Sequence, residues 1–312
     1  MTSRFVAIAL HLQREHAVTA ACDFINEMAD SDIVCLLTPE ALSTLSPQLK
    51  NPAVGVLEPS SYDIVELAVV FGGDGTILRA AEWAVPAGIP LLGVNLGHVG
   101  FLAELEQSEM GRLVARVQAR DYEVEERLCL QVTVRDTAGG SPIWESFAIN
   151  EVSLEKAARE RMIEVLVDID GHPLSRWGTD GVLVSTPTGS TAYAFSAQGP
   201  VLWPDLDALL VVPLLAHALF ARPLVLSPTS VVTMELIDRG QYAGGVLWCD
   251  GRRSVDVEPH NEIEVRRSPR KLRLARMSAQ PFVHRLVRKF DLPVDGWRGP
   301  YGSKVWASQR QV

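Results

Sequence analysis

Leu67-Ala68-Val69-Val70-Phe71-Gly72-Gly73-Asp74-Gly75-Thr76 is the stretch on which the fold turns. Its five leading apolar residues read as a strand buried on both faces, and a helical pattern follows over about 76–84. The break between them is therefore a strand-to-helix turn. Glycines in such a turn let the backbone approach an anion, and the helix N-terminus supplies N–H donors and a positive dipole end, so phosphate is the natural guest. No Lys-Ser/Thr follows the glycines and the spacing is not G-x-G-x-x-G, which excludes a P-loop ATPase and a standard dinucleotide fingerprint. Asp74 is the unusual residue. A carboxylate in a phosphate site is unfavourable unless it binds a metal that bridges phosphates or takes a proton from an attacking hydroxyl. A plain turn with a helix cap is the competing reading, and spacing leaves both open.

Outward from this loop, apolar runs over 5–10, 33–37 and 89–95 alternate with helical patterns near 15–29 and 107–119. This predicts an α/β domain with a parallel sheet over 1–121. After Tyr122 the texture changes to period-two alternation, as over 130–135, 162–169, 231–237 and 263–267, with tight turns at Gly139-Gly140 and Asp170-Gly171. A mostly β, sandwich-like domain is expected over 122–280. From Pro281 the pattern is helical again, with Phe282, Leu286 and Phe290 on one face, followed by Trp297, Gly299 and Trp306. A helical tail over 281–312 is expected to pack back on the first domain.

Composition narrows the classes. The 312 residues suit two domains at roughly 150 residues each, and 47% hydrophobic against 21% charged residues excludes a disordered chain. Lys plus Arg 29 against Asp plus Glu 38 leaves a net charge of −9, which argues against general nucleic-acid binding. The segment 252–290 carries eleven Lys or Arg against four acidic residues and reads as a solvated or partner-facing surface. Cys22, Cys35, Cys129 and Cys249 form no C-x-x-C pair and have no zinc-ligand spacing, as expected of buried thiols in a reducing cytosol. No signal-peptide pattern opens the chain, and the most apolar stretch, 208–221, is broken by Pro213 and His217 and is shorter than the roughly 20 residues a membrane span needs. The expectation is a cytoplasmic protein with no membrane partner.

Three further stretches carry chemistry. Asn95-Leu96-Gly97-His98-Val99-Gly100-Phe101-Leu102 follows a parallel strand, at the end where open α/β sheets bind ligands, although a tight loop would read the same. Asn150-Glu151 places an amide beside a carboxylate, which suits a ribose diol and also suits a turn. The run from Trp177 to Tyr193 breaks from a strand into a hydroxyl- and glycine-rich loop. Ser185, Thr186, Thr188, Ser190 and Thr191 exceed what one helix cap requires, and Tyr193 can stack on a flat ring.

Together, Gly72-Gly73-Asp74-Gly75-Thr76, Asn95-Leu96-Gly97 with Gly100-Phe101-Leu102, Asn150-Glu151, and Asp180-Gly181 followed by 185–193 resemble the NAD kinase family in identity, order and spacing over roughly 65–255. The first motif is shared with lipid kinases and is similar to that of phosphofructokinases; the full set is specific. The resemblance implies transfer of a phosphoryl group from ATP or polyphosphate, with Mg²⁺, to the 2′-hydroxyl of the adenosine ribose of NAD. It implies Asp74 as general base or metal carboxylate, and Gly72, Gly73, Gly75 and Thr76 along the phosphates. Arg79 would face the dinucleotide; Asn150, Glu151 and Asp180 would hold ribose or nicotinamide groups. Thr188, Thr191, Ala192, Tyr193, Ala194, Phe195 and Ser196 would line the NAD pocket, and Arg161 would add a basic contact from a neighbouring subunit. A homodimer or homotetramer through the β-rich domain is implied as well.

Two stretches depart from the family pattern: His11-Leu12-Gln13-Arg14 lacks the glycine-plus-basic turn of many members, and 214–221 lacks the usual polar or proline-bearing approach to its histidine, His217. A lipid or sugar kinase would share the Gly-Gly-Asp-Gly-Thr loop but leave Asn150-Glu151 and 188–193 without a purpose. An NAD-sensing module without catalysis would have no use for Asp74.

Overall fold

The protein is described by a computed structural model covering residues 3–293, apart from 30, 51–52, 97–99, 104, 107–109, 159–160, 239–243 and 278–280. The chain divides into two compact units that interleave along the sequence: Met1–Ala80, Ile89–Val124 and Ala275–Val312 form one, and Ala81–Gly88 and Glu125–Leu274 the other. The expected Gly97 and His98 of the second motif, and Trp297, Gly299 and Trp306 of the tail, lie outside the described residues.

In the first unit the strands β1 (Arg4–Leu10), β2 (Ile33–Leu37), β3 (Val54–Val56), β4 (Val65–Phe71) and β5 (Leu91–Asn95) run parallel in the order β3-β2-β1-β4-β5. Leu67, Ala68, Val69, Val70 and Phe71 are all inaccessible to solvent, because helices cover both faces and no polar residue is needed on either. The helices are α1 (Glu15–Glu27), α2 (Pro39–Leu45), the first half of α3 (Asp74–Ala87), whose residues from Ala81 on belong to the second unit, and α4 (Met110–Ala119), with the two-residue β6 (Leu105–Glu106) beside β5. Ala17, Ala21, Phe24 and Ile25 of α1 and Leu113 and Val117 of α4 share one core with β1, β2 and β4. The chain lays β2 and β3 to one side of β1 and then returns to place β4 on the other. The carboxyl ends of β1 and β4 thus flank the point where strand order reverses, the place where open α/β sheets leave a crevice for ligands.

Helix α3 begins two residues earlier than the sequence pattern suggests. The Gly73 carbonyl accepts from the N–H of Thr76 (2.9 Å) and of Ile77 (3.2 Å), which draws Asp74 into the first turn. Its far end runs past 84 through Pro86, since proline near a C-terminus forfeits one backbone bond without ending the helix. The last described helix, α6 (Phe282–Phe290), presents Phe282 and Phe290, two turns apart, to the ring of Phe101 at centroid distances of 5.8 and 6.0 Å.

The second unit is a sandwich. One sheet has the order β14-β13-β12-β9-β16-β17, all antiparallel, from β9 (Glu151–Lys156), β12 (Gly181–Ser185), β13 (Leu209–Leu214), β14 (Leu224–Leu226), β16 (Gly245–Cys249) and β17 (Arg253–Val257). Facing it are β10 (Ile163–Ile169), β11 (His172–Thr179), β15 (Val232–Leu236) and β18 (Glu262–Arg276), with the hairpin β7 (Glu123–Arg135) and β8 (Pro142–Ala148) paired to β18. Alternate residues point into the shared core: Ile163, Val165 and Val167 on one side, Val152, Leu154 and Leu247 on the other, with Trp177 wholly buried among them. β12 and β13 do not alternate. Their outward residues Leu183, Leu210 and Val212 form a second small core with Ala194 and Leu202, because the segment after β12 folds back over that face.

All four cysteines are free and buried, and burial pushes the thiols of Cys35, Cys129 and Cys249 up to about 12, leaving them unreactive. Much of the positive charge over 252–290 is engaged within its own unit, in pairs such as Arg252–Glu82, Arg253–Asp250, Arg267–Asp207 and Lys271–Glu126. Among the described residues no helix is long and apolar enough to cross a membrane.

Candidate active site

Gly72-Gly73-Asp74-Gly75 leaves β4 and enters α3 at the sheet's reversal point. The N–H of Gly72 donates to the Val94 carbonyl (3.0 Å), keeping the turn tied to the end of β5. A methyl group on Gly73 or Gly75 would meet nothing within 4 Å, so these two glycines leave open space over the loop, next to first-turn N–H groups that have no intrahelical acceptor. Thr76 behaves differently. It is buried and folded back against Gly72, where a methyl would overlap its side chain.

Asp74 is held from behind. Its Oδ2 accepts from the backbone N–H of Phe101 (3.0 Å) and its Oδ1 from that of Leu102 (3.1 Å). A methyl on Gly100 would overlap Oδ1, so the second motif needs its glycine to bring these two amides to the carboxylate. A carboxylate offers about four lone-pair sites, so two remain for another partner. Arg79, one turn along α3 from Gly75, is exposed.

In the second unit Asn150-Glu151 joins β8 to β9 and is gripped along its backbone. The Asp250 carboxylate accepts from the N–H of Ile149 (3.0 Å) and Asn150 (2.7 Å) and from Arg253 Nη2 (2.9 Å). From the other side Thr186 Oγ1 donates to the Ile149 carbonyl (2.6 Å), and Ser185 Oγ and the Thr186 N–H donate to that of Asn150 (3.0 and 2.9 Å). Asn150 remains partly exposed, whereas Glu151 is 7% exposed and its Oε2 has no hydrogen-bond partner. Burial first, then the charges of Asp250 and Glu155, push the Glu151 carboxyl up to about 8, against the N–H of Tyr193, which favours the ionised form. Burial raises Asp250 too, but that group has the Arg253 guanidinium and several N–H donors. The Glu151 carboxyl, its Oε2 unpartnered, is thus the one of the two with little to favour its charge.

The loop after β12 makes a 3₁₀ turn, Thr188–Thr191, then the single-turn helix α5 (Tyr193–Ser196). Most of its hydroxyls serve the chain itself. Besides Ser185 and Thr186, Ser190 donates to the Pro187 carbonyl (2.7 Å) and accepts from the Leu202 N–H (2.9 Å), and Thr191 donates to the Thr188 carbonyl (3.3 Å). The hydroxyl excess noted in the sequence is thus largely a brace, because a loop pressed on a buried sheet must satisfy its own backbone. Tyr193, Phe195 and Ser196 are exposed, Thr191 and Ala192 partly so, and Thr188 is nearly buried. Ala194 differs from its neighbours: its side chain is wholly inside the small core under α5, so only its backbone is placed to face a ligand. Burial, then Glu155, Glu151 and Asp180, raise the Tyr193 phenol, which places this ring among three carboxylates. Asp180 itself pairs with Lys156 (2.7 Å), and Arg161 is exposed between β9 and β10.

Asp250, Lys156 and Arg285 belong to no motif, and His11 belongs only to the atypical turn after β1. Asp250 sits with Gly251 in the three-residue turn between β16 and β17, both with positive φ (54° and 62°), so the Asp-Gly turn signal marks the spot without revealing the amides it receives. Lys156 had no signal. His11 follows β1 at the reversal point, its N–H on the Phe71 carbonyl (3.2 Å) and its Nδ1 buried without a partner. Arg285 had none either; its guanidinium donates to the Phe101 carbonyl (2.9 Å).

Among the described residues no three His, Cys, Asp or Glu side chains cluster to hold a metal ion. A resident all-protein cage is therefore absent there, but the hard carboxylate of Asp74 beside an open phosphate-type loop fits a Mg²⁺ that arrives with phosphates, an ion that keeps waters and takes only one or two carboxylates.

Comparison with known proteins gives a consistent picture. Residues 20–122 match the family model described as the ATP-NAD kinase N-terminal domain, and residues 149–277 match the ATP-NAD kinase C-terminal domain. The NAD kinase of Cutibacterium acnes is 56% identical over 296 residues, covering 95% of this chain and 92% of that protein. NAD kinase 2 of Streptomyces coelicolor is 52% identical over 297 residues, covering 95% and 97%. Among solved structures, yeast NADH kinase complexed with NADH superposes with a TM-score of 0.84 at 23% identity, covering 94% of this chain and 89% of that one. The Archaeoglobus fulgidus NAD kinase in complex with ATP gives a TM-score of 0.68 at 23% identity, covering 92% and 98%; at this identity both support the fold alone.

Proposed function

Because the chain belongs to the NAD kinase family, we propose that it transfers the terminal phosphoryl group of ATP, or of polyphosphate, to the 2′-hydroxyl of the adenosine ribose of NAD, giving NADP. The observation that carries this reading is Asp74, a carboxylate in the first turn of a helix, backed by two amides and facing a glycine loop open to phosphate. A ribose hydroxyl is a poor nucleophile at neutral pH. As its oxygen bonds to the γ-phosphorus and the bond to the β-bridging oxygen breaks, its proton passes to Asp74 and ADP leaves. Gly72, Gly73 and Gly75, with the N–H groups of the α3 first turn, hold the donor phosphates. Mg²⁺, held by Asp74 together with those phosphates, would neutralise their charge when bound.

The dinucleotide is assigned to Asn150, Glu151, Asp180, Thr188, Thr191, Ala192, Tyr193, Phe195 and Ser196, with Arg79 and Arg161 supplying positive charge. What supports this is the rigid grip on the Asn150-Glu151 backbone and the exposure of Tyr193. A protonated Glu151 can donate to a sugar oxygen as well as accept, which suits recognition of a diol. A homodimer or homotetramer through the β-rich unit is part of the same reading, supported by the exposed Leu206, Leu215, Leu219, Phe220 and Val225 of that unit.

A coupled assay for NADP from NAD, with ATP and then polyphosphate as donor, tests the reaction. A lipid kinase or an NAD sensor would give no product. In the same assay Asp74→Asn is expected to lower kcat by roughly 10², the scale of a lost general base. Near wild-type turnover in that variant would remove Asp74 from the mechanism.

A further inference from the structure

We propose that Arg285, on the C-terminal helix α6, is a positioning residue for Asp74, acting through the single peptide that links Phe101 to Leu102. The proposal rests on the reading of Asp74 as general base. Arg285 Nη1 donates to the Phe101 carbonyl (2.9 Å), and the N–H of that same peptide, on Leu102, donates to Asp74 Oδ1 (3.1 Å). Guanidinium, peptide and carboxylate therefore stand in series. Hydrogen bonds in series polarise one another, and a charged donor at one end strengthens the chain toward the anion at the other.

The surroundings keep this series in place. Arg285 is only 8% exposed, so water does not readily replace its bond to the carbonyl. The Phe101 ring packs against Phe282 and Phe290 on the same helix, and Arg276 Nη1 reaches the next carbonyl, that of Leu102 (3.4 Å). The second amide on the carboxylate, Phe101 N–H to Oδ2 (3.0 Å), belongs to the same anchored residue. Gly100 must stay small for the carboxylate to fit, so the peptide that orients Asp74 is preceded by the most flexible residue type. α6 thus supplies the charged contact to the Phe101 carbonyl and the aromatic packing on its ring. Phosphoryl transfer depends mainly on positioning, and a displacement of about 1 Å in a catalytic group costs up to about 10² in rate.

The test uses the full-length protein in the coupled NADP assay with R285M, R285K, D74N and the double variant R285M/D74N, each checked by thermal unfolding. R285M is expected to lower kcat about tenfold while KM for NAD and for ATP stays within about twofold, and R285K, which keeps the charge, to recover part of the loss. R285M/D74N should be no slower than D74N, because the effect of Arg285 passes through the carboxylate. Wild-type kcat in R285M, a rise in KM alone, or the same fold loss in the D74N background as in the wild type would each overturn the proposal. D74N at wild-type turnover sinks the general-base reading and this inference with it, whereas a slow D74N beside an unimpaired R285M sinks the inference alone. Should R285M fail to fold, R285K and R285Q carry the comparison: kcat falling from wild type to Lys to Gln supports the proposal, and equal kcat in all three overturns it.

Discussion

Replacing Glu151 by glutamine should make the protein more resistant to unfolding at alkaline pH and leave it nearly unchanged at acidic pH. The Glu151 carboxyl stands at about 8 in the folded protein against an ordinary 4.5, chiefly because burial penalises its charge. Between those two values the folded protein keeps a proton that the unfolded chain has released, so stability falls as pH rises through the window and the whole cost is present above about 8. At about 1.36 kcal/mol per pH unit, the gap is a ceiling of roughly 5 kcal/mol. Local relaxation and water entry reduce it, and about 2 kcal/mol is the working figure. Glutamine cannot ionise, has the same shape and keeps an oxygen for the Tyr193 N–H. At pH 5 the two proteins should differ by less than about 1 kcal/mol. Thermal unfolding at pH 5 and pH 9 reads the difference, with the variant melting about 4–8 °C above wild type at pH 9, taking 2–4 °C per kcal/mol for a unit of this size. A melting difference that is the same at both pH values would refute the assignment of the proton to Glu151.

Tyr193→Ala removes the exposed ring assigned to the dinucleotide. The KM for NAD should rise about tenfold, the scale of a stacking contact, with kcat and the KM for ATP little changed; a rise in the KM for the donor instead would mean that the two pockets are reversed. Gly189→Ala places a methyl against the Asn150 carbonyl oxygen and 2.6 Å from Ser185 Oγ, which should cost about 1–3 kcal/mol in urea unfolding and raise the KM for NAD. An unaltered unfolding midpoint would show that the loop after β12 is not pressed on Asn150.

Both layers of the fold were readable because their patterns are local. A strand buried on both faces must be apolar throughout, as 67–71 is, and sandwich strands must alternate, as 163–167 does. Element ends were less legible: α3 gained Asp74 through bonds to the Gly73 carbonyl, which no side-chain pattern reveals. The hydroxyl run misled in part, because the same Ser and Thr chemistry that suits a ligand also satisfies a bent backbone, and only the contacts of Ser185, Thr186 and Ser190 distinguish the two. Ala194 and Tyr193 are adjacent in sequence, but a single helical turn points adjacent side chains in different directions, and that of Ala194 lies in the core while Tyr193 is exposed.

From the residues alone came the glycine loop, the carboxylate within it and the order of the motifs, because each depends on near neighbours in the chain. Tertiary structure decided what holds those groups: Asp250 on the Asn150 backbone from 100 residues away, Leu102 on Asp74 from 28 away, and Arg285 on Phe101 from 184 away. Hydrogen bonds between distant segments leave no periodicity behind them. A charge can be shielded from water, and a proton kept on Glu151, only once the chain has closed around it.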